Sequence, residues 1–149
     1  REWIEALLRN EPYRERVALE RTRDLMDKAT RDALVTEYEP LISCLNLPDP
    51  DDRHVLAAAI VGRCDVIVTQ NLQDFPQEEL KPFGIEVQHP DDFLVNHLNL
   101  APGKFCVAIR KVRARLKNPP YSVEDYLATL IRQGLVVTVA ELEQYAQLI

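Results

Sequence analysis

At 149 residues the chain has the size of one domain with a small appendage, enough to bury a real core. Its 24 Asp and Glu against 18 Lys and Arg leave a formal net charge of -6, which argues against a dedicated polyphosphate binder but leaves room for an acidic metal site acting on nucleic acid. Cys44, Cys64 and Cys106 are an odd number at wide spacing without a CxxC pair, which argues against a disulfide framework or a zinc site and predicts buried free thiols.

The chain opens on Arg1-Glu2-Trp3-Ile4 rather than on methionine and reads there as the interior of an amphipathic helix, so an earlier segment is expected to be lacking. No stretch approaches the ~20 continuous apolar residues of a membrane span, and nothing resembles a signal peptide, so a cytoplasmic protein is expected. Trp3, Ile4, Leu7 and Leu8 share one helical face, broken by Asn10 and Pro12. Tyr13 to Lys28 is a charged, solvated helix in which Glu20 can pair with Arg23, or Asp24 with Lys28. Ala33 to Thr36 is short and β-branched and predicts a strand, and Tyr38 to Leu45 a short helix ended by Asn46 and Pro48.

The central stretch, LPDPDDRHVLAAAIVGRCDVIVTQNLQDF from Leu47 to Phe75, organises the rest. Pro48 and Pro50 isolate Asp49, Asp51 and Asp52 ahead of an apolar run. Val55 to Val61 carries no polar side chain, so a helix buried on most of its circumference is expected, with Gly62 as its stop. Asp65 to Thr69, DVIVT, has the length and branching of a strand covered on both faces. Thr69, Asn71 and Asp74 follow it, placing polar side chains at the carboxyl end of a strand, where open α/β sheets carry their sites. Pro76 to Leu80 predicts a turn of helix, Phe83 to Gln88 a further strand, and Pro90 to His97 a helix whose Asp91 and Asp92 favour its positive end.

Alternating strands and helices up to residue 98 indicate a parallel sheet with helices on its faces, residues 1–98 forming an α/β domain. Residues 99–149 read as a helical C-terminal subdomain. In it Lys104 to Lys117 is a basic amphipathic helix ended by Pro119 and Pro120, Ser122 caps a helix over Val123 to Gln133, Gly134 stops it, and Thr138 with Glu141 has capping-box spacing for a last helix to Leu148.

Carboxylates converging at a sheet end repel one another unless a cation or proton separates them, and hard oxygen ligands suit Mg2+ or Mn2+. Spacing alone leaves a plainer role open for each of these residues. Asp49, Asp51 or Asp52 can be an N-cap, Asn71 and Asp74 a polar turn, Glu2 solvated helix surface, and His54 a residue packed at a helix start. Arg110, Lys111, Arg113, Arg115 and Lys117 are either a solvated face or a surface for a nucleic-acid backbone or acidic partner.

Taken together, the residues from Pro48 to Phe93 resemble the PIN-domain ribonucleases, specifically the VapC-like toxins of type II toxin–antitoxin pairs. The likeness lies in the order of an Asp before an Ala-rich helix, a strand ending in Thr, an Asn, an Asp-Phe and a Pro-Asp-Asp-Phe helix. It covers about residues 1–98, and the tail is similar to the C-terminal extension of one branch. The resemblance implies a Rossmann-like α/β/α fold, a Mg2+ or Mn2+ cofactor, and endoribonuclease activity on an RNA substrate. It also implies an antitoxin partner and a homodimer. Asp52 matches the acid opening the Ala-rich helix, with Asp51 the alternative register, Asp74 the late acid, and Glu2 the acid of the second helix. These three would be catalytic, metal-facing carboxylates, with Thr69 and Asn71 positioning a ligand water or phosphate. The family's first strand, with its early Asp, and first helix would precede Arg1. The alternative function is a non-catalytic, truncated PIN scaffold acting as a protein-binding module.

Overall fold

The structure, a computed structural model, describes residues 2–30 and 33–149, and of Glu2 the backbone alone. Among the described residues the sheet is a parallel pair, β1 (Val66–Val68) and β2 (Glu86–Gln88), with Ile67 opposite Val87. Parallel neighbours cannot be joined by a tight hairpin. The crossover here is a 3-10 turn (Leu72–Asp74), the four-residue helix α4 (Gln77–Leu80) and a second 3-10 turn (Lys81–Phe83). Gly84, at φ 70, turns the chain out of that segment into β2, a left-handed conformation in which glycine meets no steric cost.

Ahead of the sheet lie α1 (Glu2–Asn10), α2 (Arg16–Ala29), 3-10 helices over Glu39–Cys44 and Pro50–Asp52, and α3 (Arg53–Val61). Behind it come α5 (Pro90–Leu100), α6 (Pro102–Arg115), α7 (Val123–Arg132), α8 (Val136–Leu142) and a 3-10 segment (Glu143–Leu148). Apolar burial divides into two clusters. Leu56, Ala57 and Ala59 of α3 pack with Leu45, Leu47, Ile67, Phe75, Leu80 and Ile85. Leu98 of α5 instead packs with Cys106, Leu127, Val139, Leu142 and Ile149, because α5 lies against α8 and α6.

Several expectations need correction. Ala33 to Thr36 forms no strand: Glu37 follows at φ 64, which turns the extended run away, and no strand among the described residues lies beside it. Val35 instead packs on the end of α3, so tightly that a Cβ on Gly62 would stand 2.9 Å from its Cγ2 and 3.0 Å from the Ala58 carbonyl oxygen. Gly62 therefore ends the helix at an ordinary φ of -73, and its lack of a side chain serves close approach; the left-handed residue is Arg63, at φ 52. β1 is not covered on both faces, since Val68 is exposed while Ile67 is buried. Of the three free thiols only Cys106 is buried; Cys44 closes a 3-10 helix and Cys64 sits in the turn after α3, both exposed. On α2, Arg16 pairs with Glu20 at 4.0 Å and Arg23 with its neighbour Asp24 at 2.7 Å. Those contacts replace the expected Glu20–Arg23 and Asp24–Lys28 pairs.

The last helix also starts elsewhere than its capping-box spacing suggests. α8 begins at Val136 with Leu135 in the cap position and no cap from its own side chains, and Thr138 is buried inside it. The donors at its amino end go to Asp91 of α5, which accepts from Val137 N at 2.8 Å and Thr138 N at 2.7 Å.

Candidate active site

Three aspartates precede α3, and the fold gives each a different task. Asp49 is the cap: its carboxylate accepts from Asp51 N at 2.8 Å and starts the Pro50–Asp52 turn. Asp51 is exposed, and its carbonyl meets His54 Nδ1 at 2.5 Å. Asp52 stands immediately before α3 yet makes no capping bond, so its half-buried carboxylate is left to face the pocket.

That pocket has a volume of about 390 Å³ and is walled by Val55, Ile67, Val68 and Phe75, with Asp52, Thr69, Asn71 and Asp74 as its polar members. It opens at the carboxyl end of β1. The Thr69 amide donates to Gln88 O at 3.1 Å, extending the parallel pairing by one step, and the chain then leaves the sheet. Asn71 N turns back to donate to Thr69 Oγ1 at 3.1 Å, and the Asn71 side-chain amide donates to Asp74 Oδ2. Phe75, the next residue, is buried in the core cluster with Ile67 and Leu56. The structure thus brings Asp52, Asp74, Thr69 and Asn71 together; the role expected of Glu2 falls on a side chain outside the described residues.

Electrostatics reflect the crowding. Loss of water around Asp52 pushes its carboxyl above the ordinary carboxylate range, and the charges of Asp49 and Asp74 push the same way. Only His54 pulls against them. Two carboxylates held together at this cost form a place where a cation or proton is favoured. The remaining donors, a hydroxyl and an amide oxygen, are also hard ligands. Among the described residues, no group of three or more His, Cys, Asp or Glu side chains comes together as a metal cage.

A contact that sequence reasoning missed is the bond from Gln70 Nε2, in the Thr69–Asn71 loop, to Gln133 O at the end of α7, at 3.5 Å. Sixty-three positions separate the two, and no local pattern announces it. The Asp91 bond to α8 was equally hidden.

Residues 2–73 match the family model described as PIN domain, and residues 90–144 match the one described as VapC50 C-terminal domain. Over these two stretches the chain is similar to VapC-like PIN-domain proteins. It is 41% identical over 96 residues to a protein of Mycobacterium tuberculosis (strain ATCC 25618 / H37Rv) named "Putative ribonuclease VapC50", across 64% of this chain and 56% of that protein. The chain thus spans little more than half the length of this relative. No solved structure matches it. Its fold is the α/β PIN fold, with the parallel pair of strands flanked by helices. In this PIN domain the pocket residues Asp52, Thr69 and Asn71 fall inside the first match, and Asp91 and Thr138 inside the second.

Proposed function

We propose that this chain carries the catalytic site of a metal-dependent endoribonuclease that acts as the toxin of a toxin–antitoxin pair. The observation that carries the reading is the facing pair Asp52 and Asp74 at the carboxyl end of the sheet, with Asp52 released from capping by Asp49. Mg2+ and Mn2+ accept such a set, because they bind through one or two carboxylates and fill the remaining positions with waters and substrate phosphate. Asp52 and Asp74 would hold the ion; once bound, it would make a water nucleophilic near neutral pH and offset charge on the phosphodiester. Asn71 orients Asp74 through its side-chain amide, and Thr69, whose oxygen already accepts from Asn71 N, keeps its own proton to donate to a phosphate oxygen. The apolar wall of Val55, Ile67 and Phe75 limits water on the inner side.

RNA as the substrate rests on the name of the Mycobacterium tuberculosis relative and on the PIN match. Glu2 as a third carboxylate, an antitoxin as the protein partner, and a homodimer rest on the family alone. Among the described residues no helix is long and apolar enough to cross a membrane.

The test is a Mn2+ titration by calorimetry alongside cleavage of a single-stranded RNA, on the chain and on Asp52→Asn. Binding and cleavage that both vanish in the variant support the reading. Cleavage retained by Asp52→Asn overturns it.

A further inference from the structure

Residues 93–123 hold six of the chain's 18 lysines and arginines and none of its 24 carboxylates. The fold sorts these cations. Arg113 turns inward, donating to Tyr121 O at 2.8 Å and to Ile149 O at 3.2 Å, and ties α6 to the chain's last residue. Lys104, Lys111 and Arg115, by contrast, are exposed. Their spacings of seven and four residues place them in one row on the face of α6 opposite the buried Cys106, with Val107 and Ala108 between them. At 1.5 Å of rise per residue the row runs for about 16 Å. Among the described residues none of the three forms an ion pair with a carboxylate, although carboxylates outnumber cations in the chain as a whole.

We propose that this row on α6 is a docking surface for the sugar–phosphate backbone of single-stranded RNA, holding the substrate while the Asp52–Asp74 pocket acts on it. The inference rests on the ribonuclease reading and adds to it where the substrate is gripped. Asp49, Asp51, Asp52 and Asp74 repel phosphates around the pocket, so a polyanion needs a cationic anchor elsewhere on the molecule. A row of one sign, with no carboxylate among its members, matches a polymer whose charge repeats with one sign. A folded protein partner mixes acids with bases and selects a mixed surface.

The measurement is binding of a fluorescent single-stranded RNA by anisotropy across a salt series, with cleavage followed in parallel. It compares the chain, the triple variant Lys104→Gln/Lys111→Gln/Arg115→Gln, and a control of equal charge change, Arg9→Gln/Arg21→Gln/Lys28→Gln. Three lost phosphate contacts predict a salt slope shallower by about 2 and affinity lower by roughly tenfold or more in the α6 variant, with the control close to the parent. If the parent cuts RNA and the α6 variant keeps its slope, or the control falls equally, the docking surface is overturned while the ribonuclease reading stands. A parent that neither binds nor cuts RNA overturns both. Binding of poly-glutamate through α6 without binding of RNA overturns the proposal in favour of an acidic protein.

Discussion

Asp91 caps a helix that is not its own: from the first turn of α5 its two carboxylate oxygens accept the amides of Val137 and Thr138, 46 and 47 positions away. The Thr138 hydroxyl returns a bond to Asp91 O at 3.1 Å. Asp91 is 6% exposed, and the two bonds its carboxylate accepts offset the cost of burying its charge. Burial works to raise its pKa, but the bonds from Thr138 and Val137, with the nearby His89, outweigh it and hold the carboxyl below the usual carboxylate range.

Asp91→Asn is therefore expected to destabilise the chain by about 2–3 kcal/mol, because an amide can accept from one of the two N–H groups and turns its own N–H toward the other. The sign of the pH dependence follows from the lowered pKa. The unfolded chain holds this proton more tightly than the folded one, so the contribution is complete above about pH 4 and is lost as pH falls through the lower folded value. Thermal melts of both proteins between pH 2 and 7, on the order of the carboxylate range, check this: the gap between them closes on the acid side.

Asp52 behaves in the opposite sense. Its pKa is raised, first by desolvation and then by Asp49 and Asp74, so the folded chain binds the proton more tightly, and the stability this lends below the ordinary value is lost as pH rises. Near pH 7 Asp52→Asn removes a repulsion and is expected to melt about 2–4 °C higher than the parent, while losing metal binding. Adding Mn2+ should then raise the melting temperature of the parent and leave the variant where it was. A variant that melts lower without metal would refute the repulsion.

Asn71→Ala leaves both aspartates in place and removes the side-chain donor that holds Asp74. Metal affinity or RNA cleavage is expected to fall roughly 10–100-fold, as for groups that orient metal-facing ligands, with little change in the urea midpoint. Calorimetry and a cleavage assay on one preparation separate this from unfolding.

Gly62→Ala introduces a methyl group 2.9 Å from Val35 Cγ2 and 3.0 Å from the Ala58 carbonyl oxygen. A loss of about 1–3 kcal/mol is expected, and Val35→Ala in the same chain should return part of it by opening the side-chain half of the clash. Urea unfolding of the single and double variants measures the recovery. The backbone half persists, so full recovery would show that Ala58 O yields easily.

Much of the helical framework could be read from the chain because its signals are local. Ser122 accepts from Asp125 N at 3.0 Å at the start of α7, and Gly134, at φ 85, ends it, as their positions suggested. The apolar run from Val55 and the Pro90 start likewise produced α3 and α5. What could not be read depends on distant neighbours. Ala33 to Thr36 has the branching of a strand, but a strand exists only beside a partner, and Glu37 turns the chain away. Thr138 and Glu141 have cap spacing, yet the cap of α8 comes from Asp91. Among Asp49, Asp51 and Asp52 the residue types are identical, and only the turn between them decides which one caps and which faces the pocket.

The carboxyl end of β2 has a further consequence. Within four residues, Gln88 O takes the Thr69 amide, His89 Nδ1 takes the Asp91 amide, and Asp91 takes the amides of α8. The loop bearing Asn71 and Asp74 and the amino end of α8 are thus joined by bonds that break together when this one short segment lets go. In hydrogen exchange, the Thr69, Asp91 and Thr138 amides are expected to report a single opening event, so that loosening the C-terminal helices also loosens the loop that carries the candidate chemistry.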